Sequence, residues 1–154
     1  MLVTPLQLAN VMAAIANQGY YITPHLNKND SMLTKIHHCK VDKKYFPIVF
    51  EGMARVFESG TARASKIEGL DMCGKTGTAD NSHGKPHSIF VGFAPRINPK
   101  IAIAVVVENA GFGSTYAAPI FSLLVEQYLK GKITRIDLQE KITNIVTNSD
   151  VQER

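Results

Sequence analysis

The segment that most restricts the fold is Ile101 to Val107, because both of its alternating faces are apolar. Ile101, Ile103, Val105 and Val107 point one way, while Ala102, Ala104 and Val106 point the other. A strand with two apolar faces has to be covered on both sides, so helices are expected above and below the sheet it joins. The run is too short to cross a bilayer, which takes roughly 20 apolar residues.

Three stretches share the two-residue period: Leu70 to Ala79, Ser88 to Ala94 and Ile101 to Glu108. The last two are joined only by Pro95 to Lys100, a length that favours an antiparallel hairpin. Helical patterns surround them. Thr4 is placed to cap a first helix, with Pro5 at its first position and Gln7 completing a capping box. Leu8, Val11, Met12, Ile15 and Ala16 form its apolar stripe, and Gly19 ends it. A second helix starts near Pro47, carries Val49, Met53, Val56 and Phe57 on one face, and stops at Gly60. A third starts near Thr115 with Pro119 in its first turn, presents Phe121, Leu124, Val125 and Tyr128, and closes at Gly131.

Between the first two helices, Tyr20 and Tyr21 open an extended piece, read as core edge, and Asn27 to Ser31 read as a solvated excursion. From Lys132 the chain is thinly hydrophobic, a polar tail with one weak helix around Asp137 to Ile145. The expected class is α+β, with an antiparallel sheet and helices on both faces.

Composition removes several functions. With 154 residues, 45% of them hydrophobic and 19% charged, the chain is sized for one soluble core and is neither disordered nor fibrous. The net charge of +4 is spread among acids, as at Lys28, Lys35, Arg55, Arg96 and Lys132, so no nucleic-acid partner is expected. Cys39 and Cys73 can form at most one disulfide and make no framework. Met1 to Pro5 lead straight into a helix without a basic leader, so neither an export signal nor an anchor is expected within these residues.

The chemically dense stretch is Gly69 to Thr78. Gly69, Gly74, Lys75 and Thr76 match a phosphate-binding loop, G-x-x-x-x-G-K-[ST], letter for letter. Such a loop needs a helix after it, whose N-terminal amides hold the phosphates. Gly77 to Gly84 contain two glycines and a run of turn formers, so that helix is not expected. The alternative is a strand lying against a substrate. In it Lys75 and Gly77 face one side, while Thr76 and Thr78 project two hydroxyls on the other. Main-chain amides on an open edge are free to pair with a peptide.

Lys75-Thr76-Gly77-Thr78 resembles the K-T-G-T motif of penicillin-binding proteins and serine β-lactamases. Val3 to Ala9 resemble the helix opening upstream of that motif in class B transpeptidases. His87 to Pro95, Ile101 to Asn109 and Gly113 to Pro119 resemble the strands and last helix that follow it. The pattern is most similar to the elongation-type group, the penicillin-binding protein 2 enzymes, over about residues 3 to 131.

The resemblance implies a five-stranded sheet of which three strands are present here, with the strand from Ile101 pairing outward with one from elsewhere in the protein. It implies acyl transfer in the cell wall: a serine attacks the D-Ala-D-Ala bond of a stem peptide, and an amine resolves the acyl-enzyme. β-Lactams are implied as ligands, membrane proteins of the elongation complex as partners, and no cofactor. On matching positions, Lys75 supplies positive potential for the substrate carboxylate and the proton relay. Gly77 lets the substrate approach, Thr76 and Thr78 bind the carboxylate, and the Thr78 N–H is one oxyanion donor, the role in which a single donor is worth about 3 kcal/mol.

The family also needs S-x-x-K at a helix start and an S-x-N motif. No S-x-N occurs in these residues, and the one S-x-x-K, Ser82 to Lys85, sits beside Gly84 and Pro86 and reads as a loop. The expectation is therefore a C-terminal part of a transpeptidase domain, residues 1–131, followed by a polar tail, residues 132–154. On this reading the nucleophile and the membrane anchor lie outside the chain, the site faces the periplasm, and the fragment is inactive alone. A non-catalytic interaction module of the same fold is the rival reading.

The remaining candidates read blandly. His37, His38 and Cys39 are expected in a solvated loop rather than on a metal. His83 and His87 are expected at the rim of the K-T-G-T strand, Cys73 as a packed thiol, and Glu108 as part of a turn.

Overall fold

The computed structural model describes residues 2–27 and 35–149. Of the excursion from Asn27 to Ser31, everything beyond Asn27 lies outside the described residues. The chain runs α1 (Pro5–Ala16), β1 (Tyr20–Ile22), β2 (Ile36–His38), α2 (Phe46–Glu58), β3 (Cys73–Ala79), β4 (His87–Ala94), β5 (Ile101–Val107), α3 (Ala117–Lys130) and α4 (Ile136–Ser149).

Helix α1 begins as its sequence predicts. The Thr4 hydroxyl accepts the Gln7 N–H and the Gln7 side chain accepts the Thr4 N–H, which closes the capping box. It ends in a reverse turn in which Gln18 takes the left-handed conformation, at φ 55°, and the Gly19 N–H reaches back to the Ala14 carbonyl.

β3, β4 and β5 form an antiparallel three-stranded sheet in that order, with Thr76 opposite Phe90 and Phe90 opposite Val105. Helices cover both faces, as the apolar β5 requires. α1 packs on β4 and β5 from one side and α3 from the other. The α3 side holds an aromatic cluster, Phe57, Phe90 and Phe121, with ring centroids 4.8 to 6.0 Å apart. The α1 side holds Met12, Phe46, Phe50, Met53 and Phe93. α2 contributes to both clusters, because Phe50 enters one and Phe57, two turns later, the other.

Several boundaries differ from the sequence reading, each for a tertiary reason. β3 starts at Cys73 rather than Leu70, because Gly69, at φ 73°, folds Ile67 and Leu70 into a tight turn. β5 ends at Val107 because Asn109 turns left-handed at φ 53°. α3 starts at Ala117 rather than near Thr115: its first N–H is capped by the Ser88 hydroxyl of β4, a partner distant in sequence. His37 and His38 are not in a loop. They lie on β2, paired with Tyr21 and Tyr20 of β1, and the His37 ring stacks on Tyr21 at 5.1 Å.

The C-terminal segment is tied down more firmly than a polar tail suggests. Glu126 of α3 is 1% exposed and accepts hydrogen bonds from Thr134 and Arg135, while Arg135 also donates to the Ser122 hydroxyl. Burial alone pushes the Glu126 carboxyl up. The Thr134 and Arg135 bonds and the Arg135 charge outweigh it, and the net position is below the ordinary glutamate value. From this anchor α4 runs from Ile136 to Ser149, longer than its sequence pattern, with Ile142 buried.

Candidate active site

Lys75, Thr76, Gly77 and Thr78 all lie on β3, within a strand rather than at a strand-to-helix loop. The phosphate-loop reading fails on this point: β3 runs into a turn and then β4, so no helix N-terminus meets Gly74 to Thr76.

The root of β3 is buried and sterically fixed. A Cβ on Gly74 would stand 2.4 Å from the Phe90 ring, so only glycine lets that ring cross the strand. Cys73 is fully buried and directs its thiol at the Phe50 carbonyl. Loss of solvation pushes that thiol up to about 11. It is packing, as the sequence indicates, and not a nucleophile.

From Lys75 onward the strand is open. Thr76 and Thr78, opposite Phe90 and Ser88, share the α3-side face, while Lys75 and Gly77 share the other. Lys75 and Thr78 are exposed and Thr76 is half-buried. The Gly77 nitrogen and oxygen lie with the Ile89 carbonyl oxygen close to one point beside Gly113, which turns the Gly77 N–H and C=O to β4 and leaves the Thr76 carbonyl, the 2.8 Å acceptor of the Lys75 ammonium, on the side away from β4. In an antiparallel strand the N–H and C=O of alternate residues share a side, so the Thr78 N–H faces the same open edge. Among the described residues nothing pairs with that edge of the sheet.

The sequence reading missed Thr61. It follows the Gly60 stop of α2, and its hydroxyl meets the Thr76 hydroxyl at 2.9 Å, adding a third hydroxyl beside Thr76 and Thr78. Only its place in a Ser59-Gly60-Thr61 turn marked it. It also missed the closeness of Gly113. A Cβ there would lie 2.3 Å from the Ile89 carbonyl oxygen and 2.6 Å from that of Gly77, so the loop before α3 rests directly on the K-T-G-T backbone.

The other candidates fall where the sequence put them. Ser82 lies in the β3–β4 turn with its hydroxyl on the His83 ring, not at a helix start. His87 begins β4, and its Nδ1 accepts the Asn109 N–H. Glu108 lies in the turn that ends β5. Clefts of about 600 and 450 Å³ open elsewhere, one beside Arg96 and Lys100 at the β4–β5 turn and one between α1 and Tyr21. The K-T-G-T face presents cation, hydroxyls and edge amide on one strand. No described helix is long and apolar enough to cross a membrane.

Residues 1–126 match the family model of the penicillin binding protein transpeptidase domain. The chain is 34% identical to the peptidoglycan D,D-transpeptidase MrdA of Acinetobacter baumannii over 77% of its own length and 22% of that protein's. It is 31% identical to the peptidoglycan D,D-transpeptidase PbpA of Mycolicibacterium smegmatis, over 76% of this chain and 27% of that one. The chain thus spans about a quarter of the curated relatives it matches. Among solved structures, Pseudomonas aeruginosa PBP2 in complex with WCK 5153 superposes with a TM-score of 0.74 at 37% identity, covering 88% of this chain and 32% of that one. The imipenem acyl-enzyme of Mycobacterium tuberculosis penicillin-binding protein A gives 0.72 at 30% identity, covering 82% and 31%.

Proposed function

The chain belongs to the penicillin-binding-protein transpeptidase family, and from that premise we propose that it supplies the K-T-G-T wall of a peptidoglycan D,D-transpeptidase site. The nucleophile comes from outside these 154 residues, which hold no S-x-x-K at a helix start and no S-x-N. A serine Oγ adds to the carbonyl carbon of the D-Ala-D-Ala bond. The terminal D-Ala leaves with its amine protonated, and an amine of a neighbouring stem peptide displaces the serine from the acyl-enzyme.

Each open residue of β3 has a part in that step. The Thr78 N–H donates to the carbonyl oxygen as it gains charge, which is worth most in the transition state. The Thr76 and Thr78 hydroxyls donate to the terminal carboxylate, and Lys75 provides the positive field that draws it in. A carboxylate only accepts, so Thr76 spends its proton on the ligand and takes the Thr61 hydroxyl as its own donor. Gly77 leaves room for an extended peptide along the edge.

Residues 1–131 act as the transpeptidase part and residues 132–154 as a polar extension. β-Lactams are ligands as mimics of D-Ala-D-Ala, the site faces the periplasm with its anchor outside this chain, and membrane proteins of the elongation complex are partners. The observation that carries the reading is the placement of exposed Lys75 and Thr78 and half-buried Thr76 on a strand edge that no described strand covers, beyond a tightly packed root.

Intact mass after incubation with benzylpenicillin tests it. The 154 residues alone are expected to gain nothing, and a protein joining them to an S-x-x-K segment to gain one penicilloyl group. Stoichiometric acylation of the 154 residues alone overturns the external nucleophile. Failure of the joined protein to label favours a binding module of the same fold.

A further inference from the structure

The loop between β5 and α3 is tied to the β3–β4 connection and to the first residues of β4, in addition to the turn in which its Thr115 N–H donates to the Phe112 carbonyl. Asn109 is the centre of this arrangement. Its side-chain oxygen accepts the Asn81 amide at 2.7 Å, and its N–H donates to His87 Nδ1 at 3.0 Å. The Asn81 oxygen in turn accepts the His83 N–H. Two residues on, the Gly111 N–H donates to the Pro86 carbonyl at 2.7 Å, and the Phe112 carbonyl accepts the Ser88 hydroxyl at 2.9 Å. Asn109 adopts φ 53°, a conformation that asparagine tolerates better than most residues.

What this clamp holds is the support of the proposed oxyanion donor. Gly113 lies against the Gly77 carbonyl, which would stand 2.6 Å from a Cβ at that position. The Gly77 carbonyl and the Thr78 N–H belong to one planar peptide group. Pressing on one end fixes the direction of the other. Among the described residues β3 has a strand neighbour, β4, on one side only, so the backbone of Gly113 is a second restraint on that peptide.

We infer that Asn109 is a positioning residue for the oxyanion donor, acting through the 109–113 loop and Gly113 on the Gly77–Thr78 peptide. The inference rests on the assignment of the Thr78 N–H as a donor. Asn109 touches no reacting atom. Its role is to keep an edge peptide in one orientation during acylation, when the carbonyl oxygen gains charge.

The test uses Asn109→Gly, which keeps the left-handed backbone and its N–H but removes the acceptor for Asn81. Asn81→Ala breaks the same bond from the other side, and Asn109→Asp restores the acceptor. In the protein that carries these residues with its serine, acylation by a β-lactam is followed under saturating and sub-saturating ligand, with selective ¹⁵N-threonine spectra recorded on the same samples.

Asn109→Gly and Asn81→Ala are each expected to slow the acylation step on the order of tenfold, part of the roughly 10²–10³ lost when such a donor is removed outright. The two together should do little more than either alone, and ligand dissociation constants should hold. Asn109→Asp should recover most of the rate, and the Thr78 amide should shift and exchange faster in the two slow variants. An unmoved Thr78 amide overturns the clamp and leaves the donor assignment standing. A disturbed Thr78 amide with an unchanged acylation rate overturns the donor assignment, and the inference with it.

Discussion

Within β3 the two halves of one strand obey different rules. Cys73 and Gly74 are buried, with the Phe90 ring over Gly74 and the Cys73 thiol against the Phe50 carbonyl. Lys75 to Thr78 pair with β4 on one side, and among the described residues no strand meets the other edge, where the Thr78 N–H stands. The contrast shows how a short motif can be reactive and still well placed: the root supplies most of the rigidity through close packing, and the tip keeps its polar groups accessible to a ligand. Substitutions at the root should change stability, and substitutions at the tip should change ligand recognition.

The largest effect belongs to the aromatic cluster of which Phe90, the ring over the root, is a part. Phe121→Ala empties the centre of the Phe57, Phe90 and Phe121 cluster and is expected to cost about 3–5 kcal/mol in urea unfolding. Gly113→Ala lies between root and tip. Its Cβ meets backbone oxygens rather than a flexible side chain, so about 1–3 kcal/mol of stability and a slower acylation should be lost together. At the tip, Thr76→Val and Thr78→Val should move the unfolding midpoint little. Each should weaken a carboxylate-bearing β-lactam by about 1–3 kcal/mol and leave its methyl ester unaffected. Equal losses for acid and ester would break the division between root and tip.

Two smaller tests bear on the buried polar groups. The Glu126 carboxyl is depressed by its Thr134 and Arg135 bonds in spite of burial, so its contribution is fully present above the ordinary glutamate value of 4.5 and is lost as pH falls through the lower folded value. Unfolding midpoints measured downward from pH 6 should show that loss in the natural sequence and a flatter profile in Glu126→Gln. Smallest is the thiol count. Cys73, fully buried and pushed up to about 11, should resist a thiol reagent at neutral pH while the half-buried Cys39 reacts, giving one equivalent rather than two until the protein unfolds.

The sequence disclosed most where the cause is local or periodic. The Thr4–Gln7 capping box, the three strands and the two covered faces of β5 all follow from residues within a few positions of one another. The split of Thr76 and Thr78 from Lys75 and Gly77 follows from the period of a strand. Missing were the features made by residues far apart. Ser88 capping α3, the Thr61 hydroxyl on Thr76 and Gly113 on the Gly77 backbone join segments separated by turns whose paths no local pattern dictates. His37 and His38 belong to the same class: in isolation they read as polar loop residues, and pairing with Tyr20 and Tyr21 makes them a strand. The site motif itself was legible, while its supports were not.

The most direct measurement is the structure of a β-lactam acyl-enzyme formed by a protein that joins these residues to a nucleophilic serine. The account predicts the acyl carbonyl oxygen about 2.7–3.1 Å from the Thr78 nitrogen, with the ligand carboxylate against the Thr76 and Thr78 hydroxyls. An acyl oxygen turned away from Thr78, or a carboxylate held elsewhere, would contradict it.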